Sequence, residues 1–291
     1  MQGVIGFYLV RKNFVSLKPY WDITSIKILI MQGFPFVISA FLANWLFQGG
    51  VFVIRTFDGY NQDLGVYALA LQVLLILGGI LSGLGGAALP ALSRSADRGD
   101  GKSAYFIDLV LRAGILIGGI LTISGLTLGA KVVGWVFGPS YSPLVELLPW
   151  VLFFVSGYFL LRILNFVIVS FGDYNKIALV SIVGSIVFTA LVIPFYSYFG
   201  LLGITLATGV GLFSANFMQI TMLKTKYEID LNHSVFRPLI VVLIGFTISY
   251  LTLEFSELLS LLLSIFTMTL NLFVLKVLKP SEINFMIKLV K

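Results

Sequence analysis

A chain of 291 residues that is 58% hydrophobic and 11% charged, with a mean hydropathy of +1.02, lies outside the range of soluble globular domains and reads as an integral membrane protein. The lack of cysteine excludes disulfides and thiolate metal sites, and a lone histidine, His233, cannot build a metal cluster, so no metal or other cofactor is expected. A net charge of +6 would suggest nucleic acid in a soluble protein, but in a membrane chain Lys and Arg set orientation; membrane lipids are the expected surroundings and no nucleic-acid partner is expected.

The chain opens on GVIGFYLV (3–10), which runs straight into Arg11 and Lys12. That is the order in which a helix leaves a membrane on its cytoplasmic face, yet eight residues cannot span one. Residues 1–10 are therefore expected to be the stub of a truncated helix, with a short interfacial segment as the alternative, and 11–27 a cytoplasmic connector. Eight stretches follow that are long and apolar enough to cross about 30 Å of hydrocarbon: 28–54, 64–90, 109–130, 147–171, 177–197, 200–222, 238–254 and 258–278. Residues 280–291 form a tail. The expected fold is all-α and polytopic.

With the start placed in the cytoplasm, sixteen of the nineteen Lys and Arg residues fall on that side, against Arg55 and Lys131 on the other and Arg162 within a span. This asymmetry predicts a multi-pass protein of the inner (cytoplasmic) membrane with a cytoplasmic C-terminus. The longest loops, such as 131–146, are too short for a folded domain. No catalytic residues are expected, because neither a large loop nor a carboxylate pair beside a cavity is visible.

The first span carries Gly33 and Pro35 near one end and Gln48, Gly49 and Gly50 deep inside, fitting either a gating bend or a packing kink. Arg55 closes it, one turn from Asp58, as a surface pair or as a positive rim. In the second span Gly79 and Gly83 make a GxxxG pair, expected to pack closely on a neighbouring helix, with a substrate contact as the alternative, before Pro90 ends the helix. The fourth span holds the feature most suggestive of function. Tyr158, Arg162 and Asn165 share one helical face as a polar stripe, with Arg162 about 14 Å deep. A charge there costs at least about 2.5 kcal/mol. Either a carboxylate on another helix or an anion in a cavity offsets that cost, and no span carries an Asp or Glu near mid-depth. Guanidinium suits phosphate bidentately. His233, in YEIDLNHSVFR, is expected to be solvated and without function.

LKPYWD (17–22), LGVYALALQV with LPALSRS (64–73 and 89–95), FGPSYSPLVELLPW (137–150) and YFGLLGITLAT (198–208) together resemble the Wzx-type polysaccharide or O-antigen flippases of the multidrug/oligosaccharidyl-lipid/polysaccharide exporter superfamily. The resemblance covers residues 1 to about 225. It implies a two-lobed, MATE-like transporter working by alternating access, of which 28–225 would be the six-helix second lobe and 238–279 an additional helix pair. It further implies an undecaprenyl-pyrophosphate-linked oligosaccharide as substrate, moved across the membrane for O-antigen, lipopolysaccharide, capsule or exopolysaccharide synthesis. Polysaccharide polymerase and chain-length proteins are its candidate partners. Arg162, Asn165, Tyr158, Arg55 and Gln48 are the candidate cavity residues. Competing readings are a cation-coupled multidrug exporter of the same superfamily, which needs an embedded carboxylate, and a polymerase or ligase, which needs a long outer loop.

Overall fold

The structure, a computed structural model, describes residues 22–57, 61–86, 102–170, 172–227, 229–275 and 277. They form α1 (Ile23–Phe57), α2 (Asn61–Gly86), α3 (Lys102–Val136), α4 (Leu144–Ser170), α5 (Tyr174–Tyr227), α6 (Arg237–Thr252) and α7 (Glu257–Val274), with a one-turn 3₁₀ segment at Pro139–Tyr141 and a π-helical turn at Asn232–Phe236 before α6. All seven are long and apolar enough to cross a membrane, α6 doing so together with its π turn, and no strand occurs among the described residues. The chain is therefore an all-α, multi-pass membrane protein. The expected stub at 1–10, the connector up to residue 21, the break at Pro90, the Asp58 partner of Arg55 and the tail at 280–291 lie outside the described residues.

Seven helices stand where eight were expected, because 177–197 and 200–222 remain joined within α5. As one straight helix its 54 residues would reach about 80 Å, far more than a bilayer. Gly200, at φ 57 and ψ −135, interrupts it, in a region of backbone space that is essentially glycine's alone. The two arms then run back along each other. A Cβ on Gly184 would sit 3.0 Å from the carbonyl oxygen of Gly211, and one on Gly211 would sit 2.8 Å from that of Gly184, whereas a continuous helix would hold these residues about 40 Å apart. α5 thus crosses twice, with its reversal compressed into one residue. Other boundaries also differ from expectation: α1 already begins at Ile23, and helix extends through Val136 and resumes at Leu144, so the expected 131–146 loop shrinks to a short turn.

α4 lies at the centre. In its most apolar stretch 72% of residues are buried, against 6% for α1, because α2, α3 and α5 all pack on it. Its core partners include Leu74 of α2 and Leu212 of α5. Small residues permit these approaches: Gly157 of α4 sits under Leu212, and Gly118 of α3 sits on Ser156. The Gly79 and Gly83 pair does not behave as expected. Both face open space among the described residues, and it is Gly78, one position earlier, that receives the ring of Tyr158. The GxxxG spacing is satisfied by the sequence, but the helix is rotated so that its neighbour in the pattern does the packing.

α1 runs parallel to the first arm of α5. Their seam is polar at intervals, with Ser39 and Ser181 hydroxyls 2.7 Å apart, Ser185 donating to the Leu42 carbonyl at 2.9 Å, and the Trp45 indole N–H donating to Thr189 at 2.8 Å. Gly49 and Gly50 let Phe188, Ile204 and Tyr67 approach the α1 backbone, so they serve close packing.

α6 and α7 form a hairpin held by Ser249, Ser260 and Ser264, all fully buried, and by Met268 lying over Gly245. This pair docks on α3. Val242 covers Gly119, and Ile123 reaches Gly245. At one end Lys131 pairs with Glu257 at 2.7 Å. At the other, Arg112 is completely buried, bound to the Asp108 carboxylate and to the Val277 carbonyl beyond α7. Asp108 also accepts from the Ser234 hydroxyl and stands 3.5 Å from His233 Nδ1, while Arg237 donates to the Leu275 carbonyl at 3.2 Å. One expectation changes here: His233, with a side chain only 17% exposed, is not solvated. Arg112, counted only by side in the charge tally, is buried in the protein. Both are drawn inward by one carboxylate that the linear sequence places at a helix end.

Candidate functional site

Along α4 between residues 147 and 170 only Trp150 and Arg162 are exposed. Around Arg162 the helix is otherwise enclosed by apolar neighbours, so its guanidinium emerges through the one open side. That side is a cleft of about 560 Å³ between α1, α4 and the first arm of α5, with Leu75 of α2 at its rim. Its walls carry Ser39, Asn44, Gln48, Tyr158, Arg162, Asn165 and Ser181 among apolar residues such as Phe36, Phe47, Phe166 and Ile177. Four of the five residues singled out from sequence, Arg162, Asn165, Tyr158 and Gln48, therefore share one concavity. The fifth, Arg55, is exposed near the far end of α1 and does not line it.

Each polar side chain of the stripe is held differently. Arg162 lies about 12 Å from the end of α4 and has no ion pair among the described residues; its only close electrostatic neighbour there is the ring of Phe166, one turn on, 5.8 Å from the guanidinium carbon. Asn165 is oriented from behind. Gln219 of the second arm of α5 donates to its Oδ1 at 2.9 Å and to the Leu161 carbonyl at 3.3 Å, and Asn216 donates to the Gly157 carbonyl at 2.9 Å. Both α5 amides are essentially fully buried, so they rank as positioning groups between α4 and α5. Tyr158 is fixed by Gly78 on one side and by an edge contact with Phe47, ring centres 5.4 Å apart, on the other.

A second recess of about 470 Å³ opens beside the first, lined by Gln48, Ala68, Leu71, Gln72, Leu75 and Ile76. Gln48 and Leu75 belong to both. Sequence reasoning missed Asn44 and Gln72. Asn44 lies one turn before Gln48 and lines the first cleft, whereas Gln72 is an isolated amide of α2 that lines the second, and the packing of α1 and α2 decides which cavity each reaches.

Neither cavity contains a carboxylate, and no group of three or more His, Asp or Glu suited to a metal ion occurs among the described residues. A lone guanidinium flanked by amides and hydroxyls presents donors, which is the arrangement that holds an anion and neighbouring hydroxyls.

No protein-family model matches the chain, and none of the curated proteins does. Among solved structures it is similar to the lipid II flippase MurJ in its inward closed conformation, with a TM-score of 0.68 and 15% sequence identity over 94% of this chain. The fold is MurJ-like. The match extends over 59% of the MurJ chain, so this chain spans somewhat more than half the length of that neighbour.

Proposed function

We propose that the chain forms one wall of a flippase for an undecaprenyl-pyrophosphate-linked oligosaccharide and serves surface polysaccharide synthesis at the cytoplasmic membrane. One observation carries this: a permanently charged arginine emerges from the most enclosed helix of the fold into an open polar cleft, about 12 Å from the nearer helix end and with no carboxylate beside it among the described residues. A buried structural arginine in this protein looks different, as Arg112 with its carboxylate and carbonyl partners illustrates. Arg162 is instead available to a phosphate that enters the cleft, with Asn165 and Tyr158 on the same face. The lack of carboxylate in the cleft favours an anionic cargo over the cationic drugs of an exporter. The likeness to a lipid II flippase supports a lipid-linked substrate, and the sequence resemblance to Wzx-type flippases supports an O-antigen, capsule or exopolysaccharide precursor. Transport would follow from rocking of this lobe against an opposing wall, exposing Arg162 alternately to the two membrane faces.

The test is Arg162→Ala in cells whose surface polysaccharide depends on this protein. Loss of the polysaccharide at unchanged membrane abundance is expected. Normal polysaccharide on those cells would remove Arg162 from the transport path and the reading with it.

A further inference from the structure

Within the helices, Asn44, Asn165, Asn216 and Gln219 each have a hydrogen-bonding partner among the described residues. Gln48 and Gln72 have none there, although both are exposed within long apolar helices. An amide left unpartnered at that depth is costly in hydrocarbon, and both line the same 470 Å³ recess.

The position of this recess relative to Arg162 is informative. The start of α4, the end of α1 and the start of α2 belong to the same end of the lobe. Phe47, next to Gln48, touches Tyr158 one turn of α4 from Arg162, so Gln48 borders the guanidinium's cleft, whereas Gln72, six residues before the Gly78 that meets Tyr158, stands about 9 Å further toward that end; the two cavities join through Gln48 and Leu75. Each amide offers one acceptor and two donors in a plane, which suits paired hydroxyls or an acetamido group, while Leu71, Leu75 and Ile76 provide an apolar backing for the C–H face of a ring.

We propose that Gln48 and Gln72 form a saccharide subsite that reads the first sugars of the cargo, with Arg162 holding the phosphate end. This rests on the flippase reading above. Arg162 supplies charge-dependent affinity common to all such lipids, and the glutamine pair supplies the discrimination between glycans.

The experiment is competitive binding to the purified full-length protein in detergent, read by native mass spectrometry. The probes are undecaprenyl pyrophosphate and the same lipid carrying a disaccharide. The wild type is expected to prefer the glycosylated probe by about tenfold, since a site built around hydrogen-bonding groups penalises a ligand that leaves them unpaired. Gln72→Leu should lower that preference while leaving affinity for the bare lipid unchanged, and the Gln48→Leu/Gln72→Leu double variant should bring it below about twofold. Gln72→Asn alone, which retains the amide, should keep part of the preference. Equal binding of both probes to the wild type, or an undiminished preference in the double variant, overturns the subsite while leaving the phosphate role intact. Unchanged binding of the bare lipid to Arg162→Ala overturns the underlying flippase reading instead. Both glutamines are exposed, so neither Leu replacement opens a core cavity, and equal thermal transitions of variant and wild type would attribute the change to binding.

Discussion

Arg162 and Arg112 are two arginines of one protein with opposite fates, and substitution should separate them. Arg162→Lys keeps a charge but loses the planar fork, so transport should fall by about tenfold if two phosphate oxygens are gripped at once, as measured by surface polysaccharide at matched abundance. Retained activity would point to a point-charge role. Asp22 offers a pH dependence at the same scale. Hydrogen bonds from the Ser25 hydroxyl and from the Thr24 and Ser25 amides hold its carboxyl below the ordinary value of 3.8, as an N-cap of α1. Because the folded value is depressed, the contribution is complete above the ordinary carboxylate value and fades as pH falls through the folded one. Protection of the Thr24 and Ser25 amides against hydrogen exchange should thus be level from neutral pH down to about 5 and decline only in stronger acid. Asp22→Ala should lack that protection at every pH. The sequence disclosed the Tyr158, Arg162 and Asn165 stripe because helical periodicity is local. It could not disclose Asn44 or Gln72 as wall residues, since the cavity that each one lines depends on how α1 and α2 are rotated about their axes.

Among the elements, α5 is the most sensitive. A Cβ at Gly203 would stand 2.0 Å from the Phe195 carbonyl oxygen, a backbone atom that cannot swing aside. Gly203→Ala is expected to cost about 2–3 kcal/mol, toward the upper end for overpacking, and to show as reduced yield and a lowered thermal transition in detergent. Gly79→Ala, where a Cβ meets no described atom within 4 Å, should be neutral by the same measurement. The contrast also marks what composition could reveal. Hydropathy found every crossing, including both arms of α5, because a bilayer imposes length on each segment. It set a boundary at 197–200 but gave no sign that the reversal needs no loop, since that depends on the φ of a single glycine. The GxxxG spacing pointed to close packing at Gly79 and Gly83, whereas Gly78 makes the contact, for a motif fixes spacing but not rotation.

For the whole molecule, the decisive linkage joins α6 and α7 to α3. Removing one member of a buried ion pair leaves the other uncompensated, so Arg112→Ala and Asp108→Ala are each expected to cost about 3–5 kcal/mol, and the double replacement less than the sum. A double-mutant cycle on thermal transitions in detergent checks this; strict additivity would mean that the two do not act as a unit. Lys131→Ala, which breaks a pair exposed at 72% on the lysine side, should cost under about 1 kcal/mol. The fold class and the crossings were legible because charge asymmetry and hydropathy act over the whole chain. The dock at Asp108 was not, because it gathers residues from three separate stretches, 108–112, 233–237 and 275–277, that have no sequence pattern in common.

That dock bears on biogenesis. Arg112 and the Val277 carbonyl it holds are 165 residues apart, so α3 enters the bilayer long before its last ligand leaves the ribosome. Asp108, one turn away, is made with it and masks the guanidinium from the outset. The carboxylate thus acts first as an escort for a cation that must wait in the membrane and later as the mooring to which the last two helices are tied. This dock is closed only when the Val277 carbonyl reaches the Arg112 guanidinium.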